Sequence, residues 1–154
     1  MNSISDLNQD ITIRIERFFT RVNCSVRGSI RYGDDVIKCD TKTLSLQGMF
    51  LKTDQPIPLN AAINVTVYNS NQSTFNLTAK VVSTEPDGVC VKINSLSINS
   101  YVQLRDIVSE KSNNYVNVIQ ETFGMLKCIN WNWISSYHVL RLLMTSVRET
   151  NYSK

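Results

Sequence analysis

The chain of 154 residues is long enough to bury one real core and too short for two ordinary domains. Its 42% apolar and 19% charged content is that of a globular protein, and a net charge of +3 excludes a bulk nucleic-acid binder, whose surface would be strongly basic. No run approaches the ~18 consecutive apolar residues of a membrane span, so none is expected. The N-terminal stretch MNSISDLNQDITI has neither a basic n-region nor an apolar h-region, so a cytoplasmic location is expected. The four cysteines, at 24, 39, 90 and 128, show no CxxC spacing and no histidine nearby, which predicts reduced thiols, no metal site and no cofactor.

In chain order, Ile4, Leu7, Ile11 and Ile15 recur at helical spacing, but the Asn/Asp-rich context predicts at most a marginal helix before Phe18. The charge here is uneven. Arginines 14, 17, 21, 27 and 31 face the single acid Glu16, a local basic strip that suits a small anionic partner. From Val22 the period becomes two: Val22, Cys24, Val26, Gly28, Ile30 and Tyr32 alternate with polar residues, which predicts one half-buried strand over 22–32. Gly33-Asp-Asp reads as a hairpin turn, and VIKCDTKTLSLQGMFLKT as extended chain with a bulge or close backbone approach at Gly48. TDQPIPLN is a loop, since its two prolines cannot sit in a central strand. AINVTVY and FNLTAKVV follow as strands joined by NSNQS, then the turn EPDG and the strand VCVKI. About six short strands between turn signals predict a small antiparallel barrel or sandwich.

After Asn94 the period turns helical. Ser97 is placed to cap a helix through Glu110 that carries Tyr101, Leu104, Ile107 and Val108 on its apolar side. Two further helical patterns occupy 115–150 around a break near Asn130; the second aligns Trp133, Tyr137, Leu140, Met144 and Val147, too short a seam for a coiled coil and suited to docking on the barrel or on a second subunit.

Catalysis has little support. His138 sits within the last helical pattern, the Asp34-Asp35 pair and Asp87 belong to turns, and no phosphate loop, nucleophile elbow or metal-ligand spacing occurs, so an enzyme is not expected. The pair Arg17 and Arg21 has two readings: a solvated stripe on a helix with Arg14, or an extended linker whose two side chains wrap a ligand. Arginine suits the second role, because its planar fork binds phosphate in bidentate fashion, matches the O6/N7 edge of guanine and stacks on bases. A nucleic-acid-binding barrel needs aromatic platforms on its strands; Phe18, Phe19, Trp131 and Trp133 fall outside the predicted strands.

The stretch ERFFTRVNCSVRGSIRYG resembles the opening of PilZ domains, whose signature is Arg-x-x-x-Arg before the first strand, followed by Asp/Asn-x-Ser-x-x-Gly. The second motif stands here as Thr43-Leu-Ser45-Leu-Gln-Gly48, and GVCVKINSLSINSYVQLRDIV is similar to the family's last strand and following helix, so the likeness spans roughly residues 14–110. The resemblance implies a six-stranded antiparallel β-barrel followed by C-terminal α-helices. It divides the chain into an N-terminal segment at 1–13, a barrel with its flanking helix at 14–111 and a helical extension at 112–154. It also implies a non-enzymatic receptor for the bacterial second messenger cyclic di-GMP that signals, through ordering of the arginine-bearing linker, to a protein effector the sequence does not identify. Arg17 and Arg21 would grip guanine edges and phosphates, Ser45 would donate from its strand, and Gly48 would let the ligand lie close to the backbone.

Thr43 departs from the family pattern. Without a carboxylate it gives up a guanine contact of about 1–3 kcal/mol and keeps at most one weaker hydrogen bond. Glu16, where relatives that take two intercalated dinucleotides often carry a basic residue, points to a single ligand. The alternative is a PilZ-like interaction module with weak or lost nucleotide binding, assembling as a homo-oligomer through residues 113–154.

Overall fold

A computed structural model describes residues 19–69, 73–125 and 128–130, and in it the period-two runs become strands. They are β1 (Val22–Asn23), β2 (Arg27–Tyr32), β3 (Asp35–Leu44), β4 (Gly48–Lys52), β5 (Ala62–Tyr68), β6 (Thr74–Glu85) and β7 (Gly88–Ser97). Helices α1 (Ile98–Ser112) and α2 (Tyr115–Met125) follow, then a two-residue strand β8 (Ile129–Asn130). Strands pair in the order β3–β2–β5–β6–β7–β4, and β4 returns to β3, which closes a six-stranded antiparallel barrel. Closure leaves those six strands without a free edge. Ile30, Leu44, Leu51, Val65, Val67 and Val81, from every barrel strand except β7 and two of them from β5, are completely buried inside it, and Val91 and Ile93 of β7 join them.

Two local readings are corrected, and one short strand is added. The strand expected over 22–32 is broken at Cys24–Val26, because three residues there face only two, Thr41 and Lys42, on β3: Asn23 pairs with Thr43 and Arg27 with Asp40. The Thr41 side chain fills the gap, its hydroxyl accepting from the Val26 N–H at 2.9 Å and donating to the Cys24 carbonyl at 2.6 Å. The extended chain read over 36–53 is two strands folded back through a turn at 45–47, with Leu44 opposite Met49. Finally, β8 adds to β7 in parallel, a pairing that two residues carry no periodicity to announce.

The turns follow the expected chemistry. Gly33, at φ 60°, occupies the first central position of the β2–β3 hairpin, the position where type II′ geometry calls for glycine. Ser97 caps α1 by accepting from the Ser100 N–H at 3.1 Å, and the helix runs two residues past Glu110 to end at Asn113 in the left-handed region. Tyr101, Leu104 and Val108 of α1 complete the barrel core, whereas Ile107 is only partly buried. Arg105, on the same helix, is also buried and donates to Asp106 at 3.0 Å.

The first of the two late helical patterns forms α2, seated on α1 by a buried bond from the Tyr101 hydroxyl to Thr122 Oγ1 at 2.6 Å. Burial pushes the Tyr101 hydroxyl up to about 12, against the pull of that bond. The second pattern, from Trp133 to Val147, lies outside the described residues, as do Ile4 to Ile15, Arg17 and His138. Among the described residues, no helix is long and apolar enough to cross a membrane.

Candidate functional site

The site begins with an irregularity in β3. Strict alternation there would send Thr43 inward, but Thr41 pairs with Leu51 and Thr43 with Phe50, which leaves Lys42 as an extra residue. A bulge of this kind turns two successive side chains to the same side. Thr41 and Leu44 are buried, while Lys42 is exposed and Thr43 half-exposed. Lys42 lies over the Phe50 ring, 5.3 Å from its centroid, and reaches Asp87 at 3.7 Å.

The turn that follows is held by Ser45. Its hydroxyl accepts from the backbone N–H groups of Gln47 at 3.3 Å and Gly48 at 3.1 Å, and donates to the Gly48 carbonyl at 3.1 Å. Leu46, inside this turn, is fully buried, so the turn is anchored to the core. Gly48 meets its expected crowding against backbone: a Cβ there would stand 2.3 Å from the Val91 carbonyl of β7. The residue that must be small is therefore required first by the β4–β7 pairing.

These features border a cleft of about 250 Å³. Arg21, Thr43, Ser45 and Gly48 all line it, so the structure brings together four of the five residues singled out in the sequence; the fifth, Arg17, lies outside the described residues. Arg21 comes from the linker, which is fixed on one side by Phe19 packing against the core and on the other by β1. Its guanidinium makes no hydrogen bond or ion pair with any described residue.

Sequence reasoning missed the rest of the lining, Gln47, Phe50, Val82, Cys90 and Lys92. Lys92 stands directly across from Lys80 on β6 and beside Gly48 on β4. Like charges facing each other across a ladder are unfavourable alone, and an anion relieves them. The signal was present in VCVKI, whose outward positions are Cys90 and Lys92. The Cys90 thiol is pushed up by burial and by Glu85, with the Arg21 guanidinium opposing, so at neutral pH it is protonated. The cleft thus combines two cations, hydroxyl and amide groups, and apolar surface from Phe50 and Val82, a set suited to an anionic ligand with flat faces.

Comparison with known proteins agrees in fold. The family model described as "PilZ domain" matches residues 15–110. No curated protein matches the chain. Among solved structures, the PilZ domain of CeSA from a cellulose-synthesizing bacterium superposes with a TM-score of 0.50 at 13% identity, covering 58% of this chain and 95% of that one. The PilZ domain of Escherichia coli YcgR, solved with c-di-GMP, gives 0.52 at 14% identity, over 70% and 96%. The Bacillus subtilis inhibitor of motility MotI/DgrA gives 0.55 at 9% identity, over 64% of this chain and 52% of that one.

Proposed function

The chain belongs to the PilZ domain family, and from that premise we propose that it is a non-enzymatic receptor for cyclic di-GMP, bound in the cleft between Arg21 and the β4–β7 wall. PilZ domains are a family of cyclic di-GMP receptors and act as binding modules. The observation that carries the reading is the convergence of Arg21 from one motif with Thr43, Ser45 and Gly48 from the other on a single cleft.

In this proposal the two phosphates of the dinucleotide face Arg21 and Lys92, cations with no acidic partner among the described residues. Arg21 contributes its fork to phosphate or to a guanine edge, and Arg17, four residues earlier on the linker, closes from the other side. Ser45 serves as a brace, because its hydroxyl holds the turn that presents Gln47 and Gly48. Thr43 supplies a single hydroxyl where a carboxylate would take two guanine N–H groups. With Arg21 already held over the cleft, binding orders the linker at Arg17, and the nucleotide can shift that equilibrium only by meeting this arginine in the ordered arrangement.

Isothermal calorimetry of the full chain with cyclic di-GMP and related cyclic dinucleotides tests the reading. Saturable micromolar or tighter binding is expected, with Arg21→Ala weakening it at least tenfold, about 1.4 kcal/mol or more, while the melting temperature holds. A folded wild-type protein that ignores the dinucleotide would overturn the receptor reading. It would favour an interaction module that has lost its ligand, for which Thr43 speaks.

A further inference from the structure

The helix α2, beyond the residues that match the family, reaches the arginine-bearing linker through one buried carboxylate. Glu121 is 2% exposed, and its Oε1 accepts both the backbone N–H of Thr20, at 2.8 Å, and the Thr20 hydroxyl. Its second oxygen, Oε2, is buried and has no hydrogen-bond partner among the described residues. An ionised carboxylate is an acceptor only, and taking one out of water is costly unless donors meet it. A helix that merely needed to pack would place an apolar side chain there. This one instead carries a carboxyl acceptor and uses it on a residue 101 positions earlier in the chain.

The residue it holds is well placed. Thr20 immediately precedes Arg21, whose side chain lines the cleft, and follows Phe19, which packs against the core. The neighbour of Glu121, Thr122, takes the Tyr101 hydroxyl bond that seats α2 on α1. Two adjacent residues of α2 therefore connect the helix of the barrel to the linker that bears the arginine.

Building on the receptor reading above, we infer that Glu121 is a positioning residue for the ligand site: it tethers the linker with Arg21 over the cleft, so that α2 sets the affinity. The sign follows from the geometry. In the tethered arrangement Arg21 already lines the cleft, so the tether pre-organises the site; an inhibitory tether would hold the arginine elsewhere. When the docked arrangement is only fractionally populated, apparent affinity falls by that fraction.

The test uses the full chain, cyclic di-GMP calorimetry and amide hydrogen exchange. Glu121→Ala is expected to weaken binding about tenfold, the effect of a docked fraction near one tenth, and to speed exchange at the Thr20 amide. Glu121→Gln keeps an acceptor and the shape, and retains most of the affinity. Thr20→Val, which removes only the hydroxyl bond, weakens binding about threefold, and combining it with Glu121→Ala adds nothing further, the coupling expected of one shared contact. That non-additivity separates positioning from general damage to α2, and Thr20→Val keeps the proposal testable should Glu121→Ala misfold. Unchanged affinity in a Glu121→Ala protein whose Thr20 amide has been freed would overturn it, as would strictly additive effects. If the wild-type protein binds no cyclic di-GMP, the receptor reading falls by itself. The tether is then judged on exchange alone: a faster Thr20 amide in Glu121→Ala sustains linker positioning, and an unchanged one removes it.

Discussion

The cleft beneath Arg21 and the groove across β2, β5, β6 and β7 are two concavities of one barrel, of about 250 and about 610 Å³. The groove is larger and carries an arginine of its own, Arg31. Its other polar side chains, however, are largely occupied with one another. The Thr66 hydroxyl donates to Asn76 Oδ1 at 2.6 Å, the hydroxyls of Thr78 and Ser95 stand 2.7 Å apart, and Ser100 Oγ accepts the Asn76 N–H at 3.2 Å. The β2–β5 and β5–β6 ladders beneath it run in unbroken register, and the β6–β7 ladder shifts once there, between Thr78 and Ala79. In the cleft the ladder is broken, by the extra residues Lys42 in β3 and Val82 in β6, and Arg21 and Lys92 have no acidic partner among the described residues. What distinguishes the cleft is two cations beside two bulged strands, rather than volume. Bulges are the fold's means of turning side chains out of the regular alternation.

The comparison sharpens most at Thr43. Replacing it by aspartate places a carboxylate on the side to which the β3 bulge turns this position, where it can accept two guanine N–H groups at once. Thr43→Asp is expected to tighten cyclic di-GMP binding about tenfold, close to 1.4 kcal/mol, with a smaller gain for an adenine dinucleotide. Calorimetry with both dinucleotides checks it. Equal gains for the two would mean that the position does not read a base, and a loss would mean that it faces phosphate.

Much of this was legible in the sequence because burial in a barrel imposes a period of two. Strands β5, β6 and β7 were legible from their alternation, while 22–32 and 36–53 each read as one stretch where the structure has two strands. Turns announced themselves through Gly33 and Pro86-Asp87-Gly88. The bulge in β3 was not announced, because the stretch reads only as extended chain with an irregularity at Gly48; in the structure Leu44 is buried three positions after Thr41 instead of two. Arg21, Thr43, Ser45 and Gly48 were selected by family motif, and the structure explains why motifs so separated act together: the linker and the β3–β4 turn border the same cleft. Motif reasoning did not supply reasons. Ser45 proved to be tied to its own turn, and Gly48 to be demanded by Val91. Lys92 was passed over as one outward residue of a strand, and Glu121 had no local signal at all, since its partner Thr20 lies across the whole barrel sequence.

A weaker handle on the same contrast is Lys92. It lines the cleft, faces Lys80 across the ladder and is solvent-exposed, so a phosphate contact there is partly screened. Lys92→Ala is expected to weaken cyclic di-GMP binding about fivefold, roughly 1 kcal/mol, and the deficit should shrink as salt is raised, because the lost interaction is an exposed charge pair. Titrations at two ionic strengths decide it. A deficit independent of salt would assign the side chain a packing role instead.

The smallest expected effect is the most discriminating. Arg31 is as exposed as Arg21, belongs to the same basic strip of five arginines, and lines the roomier concavity. Were binding a matter of general positive potential, its removal would matter about as much as that of any other arginine in the strip, since net charge falls by one in each case. If instead the ligand needs a guanidinium held beside the β3–β4 turn, Arg31→Ala should leave cyclic di-GMP affinity within about twofold of wild type at low salt, where electrostatic steering is least screened. A tenfold loss would relocate the ligand to the groove or reduce the cleft to one part of a diffuse basic face. The regular β2–β3 and β2–β5 registers argue against that outcome: Arg31 sits opposite Val36 and Asn64 in ladders without a shift, with nothing in them to turn it and a second cation toward one point.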